Sequence, residues 1–185
     1  MPEALYFTDS DEANELIAKE PLALLIGFAL DQQVTVQTAF AGPLKLKQRV
    51  GRLDVAAIAS MDPQVLEDAF RQRPGIHRFP SSMARRVQDL CAFVAEEYDG
   101  EAERVWTDAA DAADLRRRIA ALPGFGKMKV TALGSVLALR FGVEAAAELV
   151  PDHPTLGGVD SSEALAEYQA KKRAHKASLR AAQTA

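Results

Sequence analysis

Apolar positions recur at three- and four-residue spacing along almost the whole chain, with no stretch of period-two alternation. Asp9 or Ser10 can cap a first helix that runs through Lys19. Pro21 stands at the first turn of a second, Leu22 to Leu30, which is apolar all round and therefore belongs in the centre of the core. A third begins near Thr35 with Val36 and Phe40. It is expected to break at Gly42 and Pro43 and resume over Leu44 to Val50. Short helices are expected at Val55 to Ala59 and from Asp62-Pro63 to Phe70. After a loop holding Pro74, Gly75 and Pro80, Ser81 or Ser82 is expected to cap a long helix to Tyr98, ended by Asp99-Gly100. Trp106 falls in the connector that follows, and Thr107 or Asp108 is expected to cap a helix to Ala121.

The densest signal comes next. Leu115, Ile119 and Leu122 recur at helical spacing before Pro123-Gly124-Phe125-Gly126-Lys127, and Val130, Leu133, Val136, Leu137 and Leu139 recur after it. Pro123 and Gly124 stop one helix and Gly126 opens another. Such a hairpin aims backbone N–H groups of a helix N-terminus at one spot in solvent, which favours an anion such as a DNA phosphate. The same residues also serve as ordinary punctuation between two helices.

Beyond Gly142 the alanine-rich stretch Val143 to Val150 can continue as helix, and Pro151 to Gly158 reads as a loop. Ser161 or Ser162 caps a last helix, Glu163 to about Arg180, basic in its second half. The expected class is therefore an irregular all-α bundle with a central cleft. Residues 1–142 form the helical domain, with room for two lobes, and 143–160 the connector. Residues 161–185 form a basic C-terminal helix docked on the N-terminal lobe.

Composition narrows the class. The chain has 185 residues, 48% of them hydrophobic, enough for a real core. Its single cysteine, Cys91, lies on an apolar helical stretch and reads as a small buried hydrophobe. One cysteine excludes an internal disulfide and any four-cysteine zinc or iron–sulfur site, and fits a reducing cytoplasm. The longest apolar run, Leu22 to Leu30, is too short to span a bilayer, and the start shows no signal-peptide core. His77, His153 and His175 are too scattered for a metal triad. Net charge is −4, yet residues 40–90 hold nine Lys/Arg against five Asp/Glu. Charge is thus sorted along the chain, and a basic face or a mixed solvated surface is compatible with it.

Three blocks, in order, resemble the helix-hairpin-helix DNA glycosylases, the superfamily that contains endonuclease III, the adenine glycosylase and the alkyladenine glycosylases. The first is Leu25-Ile26-Gly27-Phe28-Ala29-Leu30-Asp31-Gln32-Gln33-Val34-Thr35, an apolar helix ending in a Gln-Gln turn before threonine. The second is Pro74-Gly75-Ile76 leading to Ser82-Met83-Ala84-Arg85-Arg86, and the third is the hairpin with its second helix through Phe141-Gly142. The resemblance covers residues 20 to 142. It implies that Gln33, with Gln32 beside it, fills the gap left by a flipped nucleotide. It implies a second wedge among Ile76, His77 and Arg78. It also places a phosphate on the amides of Gly124 and Gly126 with Lys127, assisted by Lys129 or Arg140. The base would enter a cleft lined by Phe125, Met128 and Trp106.

The resemblance also sets the chemistry expected. In bifunctional members a lysine two positions after the second hairpin glycine attacks the sugar. Here that position is Met128, and neighbours on a helix point about 100° apart, so Lys127 and Lys129 do not replace it. A monofunctional member needs instead an aspartate that stabilises the cationic sugar or helps water attack it. The resemblance places it near Leu149, which is not acidic; the nearest candidate is Asp152, reached by an insertion of a few residues, with Glu144, Glu148 and Asp160 as weaker ones. The expected function is a monofunctional DNA N-glycosylase of base-excision repair. The alternatives are a catalytically inactive DNA-binding module on the same fold and a helical interaction domain unrelated to DNA. Double-stranded DNA is the expected partner of a monomer, without a membrane. No cofactor or iron–sulfur cluster is expected, and a monovalent cation at the hairpin stays open.

Overall fold

A computed structural model describes residues 1–183, and among these every regular element is helical. The elements are α1 (Asp11–Lys19), α2 (Pro21–Leu30), α3 (Val36–Val50), α4 (Val55–Ala59), α5 (Pro63–Arg71) and α6 (Pro80–Tyr98). They continue with α7 (Arg104–Thr107), α8 (Ala112–Ala121), α9 (Lys127–Phe141) and α10 (Ser162–Gln183). Two 3-10 turns, Glu144–Leu149 and Leu156–Gly158, lie between α9 and α10.

The all-apolar helix sits where its composition puts it. Every residue of α2 from Leu22 to Leu30 is buried, against α1, α3 and α6. The α2–α3 contact is close because Gly27 has no side chain: a Cβ there would overlap the Phe40 ring. Phe40 in turn meets Phe7 and Phe28 edge-on, each with ring centroids 5.0 Å apart. Helices α4 and α5 pack on α6, and α9 packs on α8 and on both 3-10 turns.

Several helix starts follow their capping residues. The hydroxyl of Ser10 accepts from Ala13 N–H, and Asp54 and Asp62 cap α4 and α5. Other expectations are corrected. Gly42 and Pro43 do not break α3, which runs through both. Gly42 lies against Leu30, where a side chain would not fit, so packing on α2 holds the segment helical despite the proline. Helix α6 is not capped by Ser81 or Ser82. It begins at Pro80, whose missing N–H suits a first-turn position, and Ser81 instead donates to Glu67. Asp111, not Thr107 or Asp108, caps α8, its carboxylate accepting from Asp114 N–H. Trp106 lies in the short helix α7 rather than in a plain connector.

The stretch 143–160 does more than connect. Gly142 ends α9 in the left-handed region (φ +66°), and the chain folds back along α9 as the two 3-10 turns rather than continuing as α-helix. Gly134 accepts Leu149 against its backbone, and Gly157 accepts Ser135. Helix α10 then docks on the second 3-10 turn through Leu165, and on α3 through paired amide hydrogen bonds between Gln169 and Gln37. Cys91 is buried, and burial pushes its thiol up to about 12, as an inert core group. No helix among the described residues is long and apolar enough to cross a membrane.

The Gly27–Phe40 contact yields a test. Gly27→Ala should lower stability by about 1–3 kcal/mol, the usual cost of overpacking a tight core, read as a reduced denaturant midpoint with unchanged slope. An unchanged midpoint would mean that Phe40 has room to turn.

Candidate nucleic-acid interface

The C-terminal end of α2 organises the site. A helix leaves its last carbonyls without partners inside the helix, and here two distant segments supply them. The Lys129 ammonium, at the start of α9, donates to Ala29 O at 3.2 Å. His77, from the loop before α6, meets Leu30 O through Nε2 at 3.1 Å, while its Nδ1 accepts from Phe79 N–H at 3.1 Å. Those two bonds assign the neutral ring with its proton on Nε2, and burial lowers the ring pKa, which favours the same form.

Arg86 is the second junction. Its guanidinium donates to the side-chain carbonyl of Gln32 and lies across Gly124 of the hairpin. Gly124 has φ +81°, and a Cβ there would come 2.8 Å from Arg86 Cδ. Both facts call for glycine at this point. The hairpin itself closes with Phe125 N–H donating to Leu122 O at 3.0 Å, so that amide is spent. The amides of Gly124 and Gly126 make no hydrogen bond within the described residues, and nothing stands within 4 Å of a Cβ placed on Gly126. Lys127 is exposed beside them. The hairpin thus keeps the open donors that an anion needs.

The two glutamines separate into different tasks. Gln32 is half-buried and held by Arg86. Gln33 is exposed, in the left-handed region at φ +57°. That conformation is uncommon outside glycine and costs a non-glycine residue of order 1 kcal/mol or more. Its side chain is therefore projected outward by a strained turn. Of the three loop residues singled out in the sequence, Ile76 and His77 are buried and Arg78 is exposed. His77, 5% exposed, is a strut inside the loop rather than a group presented to solvent. Arg78 lies over the ring of Phe79, 4.9 Å from its centroid. Phe79 is exposed and was not singled out in the sequence, where it sits beside proline with no periodic pattern to mark it.

The expected base pocket does not assemble. Met128 is 80% exposed at the first turn of α9, and Phe125 is buried beneath Lys129, whose ammonium lies 5.6 Å from its ring centroid. Trp106 packs on Phe141 at the other end of α9, about 20 Å from Met128 at 1.5 Å per residue. It lines a separate cleft of about 980 Å3 whose walls also carry Glu103, Asp111, Glu144 and Glu148. Acidic walls suit a phosphate backbone poorly. Asp152 lies exposed in the loop between the two 3-10 turns, with no hydrogen bond or ion pair there among the described residues. Arg140 donates to Gly157 O at 2.8 Å and so braces that loop, away from the hairpin.

A carboxylate that the sequence did not single out does lie at the site. Asp31 caps α2, its N–H donating to Phe28 O at 3.2 Å, and its side chain is half-buried. Burial raises its pKa, and Lys172 of α10 and then Lys129 oppose that rise. Lys129 is affected more strongly: burial first and Arg86 second lower its ammonium to about 8, with Asp31 acting against both. The signal in the sequence was an acid directly after nine apolar residues, a place where charge is expensive.

An open glycine hairpin, locked by an arginine to a glutamine turn at the end of a buried helix, defines a helix-hairpin-helix domain built to meet nucleic acid. The sequence matches, over residues 26–173, the family described as HhH-GPD superfamily base excision DNA repair protein, and the chain belongs to that family. No curated protein and no solved structure matches it.

Two outcomes test this geometry. Gln33→Gly should leave stability unchanged or raise it by up to about 1 kcal/mol, because glycine adopts the left-handed turn without strain; a clear loss would show that the side chain holds the fold. The second concerns pH. Lys129 keeps its proton to about 8 in the folded protein and to its ordinary 10.5 unfolded. Between these values the unfolded chain binds more protons, so stability contributed by this residue rises with pH, and below about 8 the full penalty is present. Denaturant melts at pH 8 and pH 10 should show this rise in the wild type and lose it in Lys129→Met.

Proposed function

We propose that the chain is a monofunctional DNA N-glycosylase: it binds duplex DNA, turns a damaged base out of the stack and hydrolyses its glycosidic bond. The observation that carries this reading is the Arg86 junction, which fixes the phosphate-holding hairpin against the Gln32-Gln33 turn in one rigid unit. A strand held at Gly124 and Gly126 passes next to Gln33, whose outward amide can hydrogen-bond the base left behind by flipping. The exposed pair Arg78 and Phe79 supplies a second contact, a cation with an aromatic face for stacking.

Hydrolysis needs a carboxylate near the sugar, since Met128 offers no amine. As the sugar–base bond breaks, positive charge develops on the sugar ring, and a nearby ionised carboxylate stabilises it or takes a proton from the attacking water. We assign this task to Asp31 in preference to Asp152. Asp31 is half-buried directly before the glutamine turn and interacts with Lys129 at the start of α9, whereas Asp152 is exposed on a loop beyond α9. Burial raises the Asp31 pKa, and Lys172 and Lys129 oppose that rise, which favours the charged form the reaction needs.

Duplexes carrying uracil, alkylated or oxidised bases, scored for abasic sites under single turnover, test the reading. Asp31→Asn should slow release about 100-fold or more, the usual scale for a lost acid–base group, while Kd for the duplex stays within about threefold. Asp152→Asn should leave the rate unchanged. The reverse pattern would return the assignment to Asp152.

A second reading, a non-catalytic DNA-binding module on the same fold, is favoured by the exposed Met128 at the lysine position and the exposed Asp152. Salt-dependent duplex binding with no base released from the whole panel would establish it over the first.

A further inference from the structure

Helix α10 changes character halfway. Up to Gln169 it is a docking helix: Leu165 is buried, and Ala164, Tyr168 and Gln169 on the same side are partly covered. Helical register continues that side into Lys172 and Lys176. From Ala170 to Gln183 every residue is exposed. Arg173, Lys176 and Arg180 follow at i, i+3 and i+7, one stripe of a helix, and Lys172 borders it on the side of Asp31.

The charge is concentrated there. Residues 171–185 hold five Lys/Arg and no Asp/Glu, which leaves seventeen Lys/Arg against twenty-six Asp/Glu in the first 170 residues. The helix dipole does not account for this, because it rewards cations only within the last turn, and Lys171 to Arg173 stand about three turns before the end of α10.

We propose that the second half of α10 is a phosphate-binding arm, with Arg173, Lys176 and Arg180 contacting the backbone of the duplex beside the hairpin. The arm fits DNA because it begins at the site: Gln169 hydrogen-bonds Gln37 in the first turn of α3, four residues past Gln33, and Lys172 follows within one turn of α10. It also answers a physical need. A body with a large acidic excess repels a polyanion, and a cationic arm that starts near the Gln32-Gln33 turn offsets that repulsion. From Arg173 to Arg180 the stripe spans about 10 Å at 1.5 Å per residue. That is about three phosphates of one strand at 3.4 Å each along the duplex axis. The inference rests on the DNA-binding half of the proposed function and not on its chemistry.

The test compares the full chain with its R173A/K176A/R180A variant. Alanine keeps α10 helical, and circular dichroism checks that it does. Affinity for an undamaged 20-base-pair duplex is measured over a salt series. The slope of log K against log salt should shrink by about 0.9 for each lost phosphate contact, so by about 2–3, with weakening that does not depend on sequence. An unchanged slope and affinity overturn the arm, as does a wild type that shows no salt-dependent binding. Absence of base release in the wild type overturns the proposed reaction alone, and the slopes still decide the arm.

Discussion

The free carbonyls at the end of α2 are the constraint around which the rest is arranged. A helix buried on every side cannot send its last carbonyls to water, and an orphaned buried acceptor costs about 1–3 kcal/mol. Leu30 O accepts from Gln32 N–H within the turn. The fold adds Lys129 on Ala29 O and His77 as a second partner on Leu30 O. Those two bonds bring the start of α9 and the loop before α6 to one place. Arg86 then joins the hairpin to the glutamine turn. The candidate interface thus sits where the core needs partners, at the end of its central helix.

Much of this was legible in the chain because it is local. The nine apolar residues Leu22 to Leu30 announce a central helix, Ser10, Asp54 and Asp62 act as caps, and Pro123-Gly124-Phe125-Gly126 turns where its glycines allow. The order of three modest blocks carried the family, which the match over residues 26–173 establishes. What failed depends on packing. Pro43 stays helical because Gly42 sits against Leu30, and no local rule contains that contact. Trp106 and Met128 sit at opposite ends of α9, and their spacing along the chain hides the separation. His77 looks like a surface histidine in a proline-rich loop, but a carbonyl 47 residues earlier in the chain claims it.

Charge shows the same division. The basic excess over residues 40–90 suggested a face, but several of its members are committed to the fold. Arg49 donates to Ala69 O and Pro74 O, Arg71 pairs with Glu67, and Lys47 pairs with Glu20. Exposed pairs of this kind add little stability, yet they reduce the charge left for a partner. The exposed cations at the site come from elsewhere: Arg78 on the loop and Lys127 on the hairpin. A count along the sequence registers all of these equally, and only placement sorts them.

The shift of one residue at the start of α9 explains why no free amine stands at the position of Met128. Met128 points to solvent at the position where bifunctional relatives carry lysine. Lys129, about 100° further round the helix, points inward and is held by Ala29 O. An amine in that place closes the end of α2, and its ammonium favours a charged Asp31 beside it. To attack a sugar it would have to leave a buried acceptor unsatisfied and give up the cation that opposes desolvation of Asp31. The same bond that holds the hairpin in place therefore withholds the lysine from chemistry. For the proposed glycosylase, that leaves a carboxylate acting on water.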